Sequence, residues 1–192
     1  MTPFRKNRPV DISSERFRLR SAVIADASPR WMSWAADPEV MGPLNAPPVQ
    51  MPLSTLQRFI AEHDNERSYA IGIFTRTGLQ IGFYEIICDL NHMSAEFKLL
   101  IGDKAFWGQN VVNETRAALL DHFFDYRKFE KAVGLPNARN FAAIRNYKAQ
   151  GWRLEGIQRG QVKSVVDGRR IDQLMFGMLA SEWRAQRKAS TP

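Results

Sequence analysis

The sequence has one cysteine in 192 residues, Cys88. A single cysteine excludes an internal disulfide and leaves no cysteine-based metal site to expect. Histidine is nearly as scarce: His63 and His122 fall on expected helices with no partner at metal-ligand spacing, so no metal is expected. Cys88 and His92 do not form a convincing nucleophile pair, and a buried strand thiol is the simpler account of Cys88. No apolar run approaches membrane-spanning length, and the basic residues near the N-terminus are not followed by the apolar core of a secretory signal. A cytoplasmic setting is the expectation. Repeats and low-complexity segments are missing too. The expectation is therefore one domain over residues 1–192, with flexible ends at 1–16 and 184–192.

What is present is an ordinary globular composition, 44% hydrophobic and 24% charged, with a net charge of +7. Excess positive charge suits an anionic ligand. The basic residues are spread along the chain with modest clusters at the ends, and no stripe or recognisable nucleic-acid module stands out. A nucleic-acid-associated protein stays a third, charge-based reading.

Alternating apolar and polar residues predict a strand at 17–23. Helices are expected at 24–37 and 53–65, separated by a proline-rich loop at 41–52. Strands follow at 68–76, 79–90 and 94–103; the last alternates until Leu99-Leu100-Ile101, where either a bulge or burial on both faces would break the period. A helix at 111–127 turns Val112, Leu119, Phe123 and Tyr126 to the core. A strand at 128–138, a helix at 140–151 and two strands around Asp167-Gly168 complete the pattern before a short terminal helix. The order β-α-α-β-β-β-α-β-α-β-β describes an α+β domain with a mostly antiparallel sheet of about seven strands.

Several strings in this order resemble the GCN5-related N-acetyltransferase (GNAT) superfamily, in the branch similar to ribosomal-protein N-acetyltransferases. They are "LRSAVIADA", "DPEV", "IGFYEI", "AEFKLLIGDKAFWGQNVVNE", "NARNFAAIRNYKAQGWRLEG" and "DQLMFGMLASEW", and the likeness runs from about Phe17 to Trp183. The resemblance implies helices on both sheet faces and a V-shaped gap between the family's fourth and fifth strands, opened with the help of a bulge. It implies acyl transfer, usually of acetyl from acetyl-CoA, to an amine. The acceptor would be a small-molecule amine or a protein N-terminal amine, and the assembly a monomer or homodimer.

On this resemblance Leu99, Leu100 and Ile101 pair with the pantetheine arm, and the loop Trp107, Gly108, Gln109, Asn110, Val111, Val112 and Asn113 takes the pyrophosphate. Helix N-terminal amides are unpaired and lie at the positive end of the helix dipole, so the loop chemistry is sound in itself. The family loop has Gln or Arg where this chain has Trp107, glycine where it has Asn110, and a small residue where it has Val112. Asparagine tolerates a positive φ and favours N-caps, whereas a branched valine could crowd the phosphates. An alternative therefore stands: a binding protein of the same fold with weak or no CoA affinity. Tyr147 matches the family's proton donor to the departing thiolate, and Asn140 a pantetheine-positioning asparagine that reads equally as an N-cap. Glu96 matches a strand carboxylate that deprotonates the amine, with Glu85 a second candidate and Glu114 structural. The acceptor would be framed by residues 31–66 and 158–172, with Trp31, Trp34, Pro47 and Pro48 as one wall.

Overall fold

The computed structural model describes residues 8–189. Eight strands form one sheet: β1 (Asp11–Ser13), β2 (Phe17–Ser21), β3 (Ser68–Thr75), β4 (Gln80–Asp89), β5 (Ser94–Ile101), β6 (Lys131–Gly134), β7 (Arg153–Lys163) and β8 (Arg170–Leu179). Their spatial order is β1-β2-β3-β4-β5-β6-β8-β7, antiparallel except between β5 and β6. The strand beyond the expected seven is β1, whose three residues are too few to show a period in sequence. Of the ends expected to be flexible, 1–7 and 190–192 lie outside the described residues. The remainder is β1 at one end and helix α6 (Ala180–Ala189) at the other.

The other helices are α1 (Pro29–Ala36), α2 (Pro38–Met41), α3 (Leu53–Ala61), α4 (Val111–Asp121) and α5 (Phe141–Ala149). The helix expected over 24–37 is split. A 3₁₀ turn occupies Ile24–Asp26, and α1 starts only after Ser28, whose hydroxyl caps the Trp31 amide. One sheet face is covered by α4, α5 and α6, which contribute Leu119, Tyr147 and Trp183 to the main core. The other is covered by α1 and α3, whose Trp31, Trp34, Leu56 and Ile60 pack with Leu100.

Phe123 centres the main core, with Tyr69, Phe97 and Phe129 at ring-centroid distances of 5.3, 5.4 and 5.5 Å. Such pairs each contribute about 0.5–1.5 kcal/mol beyond area burial. Phe123 lies in a π-helical turn, His122–Tyr126, that continues α4. The extra residue in that turn rotates the following side chains, so Phe124 is buried and Tyr126, expected in the core, is 63% exposed.

Strand β5 carries no bulge against β4: the register runs unbroken from Asp89↔Ser94 to Gly82↔Ile101. Burial on both faces explains the apolar run instead, since Leu100 joins the α1–α3 cluster while Leu99 and Ile101 pack against the main core. The gap comes from the other edge. β5 and β6 pair only at Ser94↔Lys131, Ala95↔Ala132 and Glu96↔Val133, after which they part.

Candidate active site

Where β5 and β6 separate, a cavity of about 860 Å³ opens between the β5 edge, the start of α4 and α5. All the expected catalytic and cofactor residues line it except Gln109. The Gln109 side chain donates to the Ala105 carbonyl (2.6 Å), and its own carbonyl accepts from Arg16 (2.8 Å), which turns the residue into the loop.

The open β5 edge is already partly used. The Phe97 carbonyl accepts from the Tyr147 hydroxyl at 3.4 Å, and the Ile101 carbonyl from the Trp107 indole at 2.9 Å. Strand backbone groups alternate in direction, so Leu99 presents its N–H and C=O to the same gap. Leu100 turns its backbone to β4, a correction to the expectation that three consecutive residues offer main-chain pairing. Its side chain still lines the cavity.

At the start of α4 the chain takes two left-handed residues, Gly108 (φ +74°) and Asn110 (φ +60°). Asn110 adopts the conformation a glycine would, at a backbone position where asparagine is tolerated. It does not cap the helix as expected: its side-chain oxygen accepts from the Asn113 side chain at 2.9 Å. Among the described residues, the amides of Gly108, Val111, Val112 and Asn113 meet no protein acceptor. They are the orphan donors that a helix start leaves, beside the positive end of the dipole. Glu114 faces away from the cavity: it accepts from the Ser14 hydroxyl, the Arg16 amide and the Arg16 guanidinium, each at 2.7 Å. Burial pushes its carboxyl up, but these donors outweigh that and hold it below the usual carboxylate range. The residue ties the β1–β2 turn to the helix start.

At the other end, Tyr147 is 8% exposed, its ring stacked on Phe176 with centroids 5.1 Å apart and planes at 12°. The Arg116 guanidinium lies over the same ring, 4.3 Å from its centroid. Burial raises the phenol pKa; the Arg116 charge opposes that and Glu96 adds to it. Room for the hydroxyl comes from Gly134, the last residue of β6, where a Cβ would overlap the Tyr147 oxygen. Asn140 caps α5, accepting from the Ala143 amide at 3.0 Å, and also lines the cavity.

Glu96 is the last β5 residue paired with β6, so its carboxyl stands at the point of the V. It is not the partner of Lys98. That ammonium pairs with Glu85 at 3.2 Å, across the β4–β5 ladder. His63 approaches the other Glu85 oxygen at 3.6 Å, and its Nδ1–H donates to the Phe59 carbonyl at 2.6 Å. His63 and Lys98 together hold the Glu85 carboxyl below its usual range, which makes Glu85 the weaker base candidate. For His63, burial alone would lower the pKa, but Glu85 and the Phe59 carbonyl raise it overall.

Trp31 and Trp34 do not wall the acceptor side. They are 4% and 5% exposed; Trp31 packs on Phe83 at 4.8 Å, and Trp34 covers the backbone of Gly102. Pro47 and Pro48 are exposed and lie off the cavity, whereas Met41, Pro43 and Leu44 line it. The two segments expected to frame the acceptor do meet: the Asn45 side chain donates to the Lys163 carbonyl (2.7 Å) and accepts from the Val165 amide (3.0 Å). Cys88 is buried and burial pushes its thiol up to about 12, so it is no thiolate near neutral pH. His122 has its pKa lowered by burial, and no His, Cys, Asp and Glu cluster suited to a metal occurs among the described residues.

Sequence reasoning missed Arg116, Gly134 and Arg145, all close to this cavity or its tyrosine. The signal for Arg116 was readable: it stands between Val112 and Leu119 at spacings of four and three, a charge in the middle of the apolar stripe of α4. Gly134 had no such signal, because its closeness to Tyr147 exists only once β6 and α5 are packed.

A family model described as an acetyltransferase (GNAT) domain matches residues 16–153. No curated protein matches the chain. Among solved structures, a spermidine N-acetyltransferase from Vibrio cholerae, in complex with CoA and spermine, aligns with a TM-score of 0.78 at 19% identity over 88% of this chain and 98% of that one. A ribosomal-protein-S5-alanine acetyltransferase from Vibrio fischeri aligns with a TM-score of 0.70 at 14% identity, over 91% and 98%. A GNAT-family acetyltransferase from Bacillus anthracis gives 0.76 at 14% identity, over 90% and 100%. At these identities the likeness is one of fold.

Proposed function

Because the chain belongs to the GNAT acetyltransferase family, we propose that it transfers an acetyl group from acetyl-CoA to a primary amine by direct attack. The observation that carries this reading is the gap beyond Glu96↔Val133. It gathers unpartnered helix-start amides, the free backbone edge of Leu99, the buried Tyr147 phenol and the Glu96 carboxyl around one cavity. Acetyl-CoA supplies the activated thioester. Gly108, Val111, Val112 and Asn113 offer amides to the pyrophosphate, at a helix start suited to anions. Arg145 adds a cation to the same cavity wall. Leu99 offers a donor and an acceptor to the pantetheine amides as a neighbouring strand would.

Glu96 accepts a proton from the incoming ammonium, directly or through water, because a protonated amine has no lone pair for attack. Tyr147 gives its phenol proton to the departing sulfur. Holding amine and thioester in line supplies much of the rate. The acceptor is a small-molecule amine or a protein N-terminal amine, entering between the 41–45 segment and the β7–β8 hairpin. A cytoplasmic setting belongs to the same reading; among the described residues no helix is long and apolar enough to cross a membrane.

Calorimetric titration with acetyl-CoA and with CoA tests the proposal. Saturable binding is expected, and none up to about 1 mM ligand, the upper end of common KM values, would sink it. For Glu96, the pH–rate profile of Glu96→Gln should lose its acidic limb; an unaltered profile counts decisively against a base role.

A further inference from the structure

Among the described residues, Arg116 is a buried cation with no carboxylate bonded to it. It is 3% exposed, and its Nε and Nη1 have no hydrogen-bond partner among the described residues. Its guanidinium lies 4.3 Å from the Tyr147 ring centroid and 5.4 Å from that of Trp152. It also lines the cavity beside Tyr147. Arginine stays charged in proteins, and burying a cation without a carboxylate carries a heavy desolvation penalty. Two ring faces offset only part of that. The stripe of α4 would be filled at lower cost by leucine or methionine.

The chemistry proposed for the site has a matching difficulty. A thiol of the cysteine type titrates near about 8.5 and a phenol near about 10, so passing a proton from phenol to thiolate is uphill even in water. Burial of Tyr147 makes it steeper. A fixed positive charge over the Tyr147 ring offsets the burial by favouring the phenolate, and at this end of the cavity it also favours the sulfur anion as the carbon–sulfur bond breaks.

We propose that Arg116 is a positioning residue for the acyl-transfer step, a buried cation that clamps the Tyr147 ring against Phe176 and stabilises the negative charge that appears on the departing sulfur and then on the phenol oxygen. The inference rests on the acetyl-CoA reading above. The amine nitrogen bonds to the acyl carbon as the carbon–sulfur bond breaks. The electron pair leaves on sulfur, and the Tyr147 proton follows it. The resulting phenolate beside Arg116 is reprotonated from solvent.

The test is titration of the native protein, Arg116→Met and Arg116→Lys with CoA and with desulfo-CoA, between about pH 6.5 and about pH 9, a span that brackets the thiol's titration. The two ligands share every phosphate, so the ratio of their affinities isolates the sulfur. In the native protein the preference for CoA should grow about sevenfold across that range, as for a thiol shifted down by about one unit. Arg116→Lys should keep most of the rise and Arg116→Met should lose it. Arg116→Gln serves as the neutral variant if circular dichroism shows that the methionine protein does not fold. An equal rise in the folded neutral variant, or a flat ratio in the native protein, overturns the role given to Arg116. Absence of binding by either ligand to the native protein would instead remove the cofactor reading, and this inference with it.

Discussion

The two ends of the gap between β5 and β6 are built from different materials. The loop end, Gly108 to Asn113, presents main-chain amides, while its polar side chains bond within the loop, Asn113 to Asn110 and Gln109 to the Ala105 carbonyl. The point of the V is made of side chains: Phe176, Tyr147 and Arg116 stack in sequence, with Gly134 leaving room for the phenol oxygen. A site made of backbone tolerates changes of residue that preserve its φ angles. A site made of packed rings tolerates almost none. That contrast explains how the loop can depart from its family at Trp107, Asn110 and Val112 and keep its donors directed outward.

The contrast is tested first where the effect should be largest. Tyr147→Phe removes the proton donor and leaves the ring stack, so turnover should fall by about 10²–10³-fold with CoA affinity nearly unchanged; full activity would remove Tyr147 as the acid. Gly134→Ala places a methyl group against the tyrosine oxygen. A displacement of roughly 1 Å at a reacting group costs on the order of 10²-fold in rate, and overpacking adds about 1–3 kcal/mol of destabilisation, readable by steady-state kinetics and a urea melt. At the loop end, Val112→Ala should change the calorimetric Kd for CoA by less than about threefold, under about 1 kcal/mol. A larger gain would show that the valine crowds the phosphates and would erase the contrast.

The smallest effect is expected outside the cavity, at the Glu114 clamp. Its carboxyl titrates lower in the folded than in the unfolded chain. The stability it contributes is therefore present above the unfolded value, near about 4.3, and is lost as pH falls through the folded one. Glu114→Gln should cost about 1–2 kcal/mol in urea unfolding at neutral pH, and the difference from the native protein should vanish in acid.

Much of this architecture was legible in the sequence. Period two marked β2 and the first part of β5, the Thr77-Gly78 break marked the hairpin of β3 and β4, and the asparagine in a turn before a helix pointed to the left-handed backbone seen at Asn110. What escaped has physical reasons. Leu99-Leu100-Ile101 is apolar because helices cover both sides of β5, and periodicity alone does not separate that from a bulge. Tyr126 left the core through a π turn, a one-residue change of phase with no local sequence mark. Trp31 and Trp34 were expected in the acceptor wall, and packing against Phe83 and Gly102 puts them in the core instead. Of the candidate site, the residues carried by motif spacing other than Gln109 lie around one cavity, whereas Gly134 depends on a contact between elements distant in sequence.

The hydrogen bonds from Tyr147 and Trp107 to β5 have a further consequence, for solubility. An open strand edge is a template on which other chains can add, the usual start of domain swapping and fibril growth. From Phe97 to Ile101 the exposed edge spans only about 13 Å at ~3.3 Å per residue, and both of its terminal carbonyls are occupied by side-chain donors. One outward-facing residue, Leu99, is left between the two stops. That is too short a run for a foreign strand, so the two side-chain bonds that shorten the open edge also guard it against strand addition.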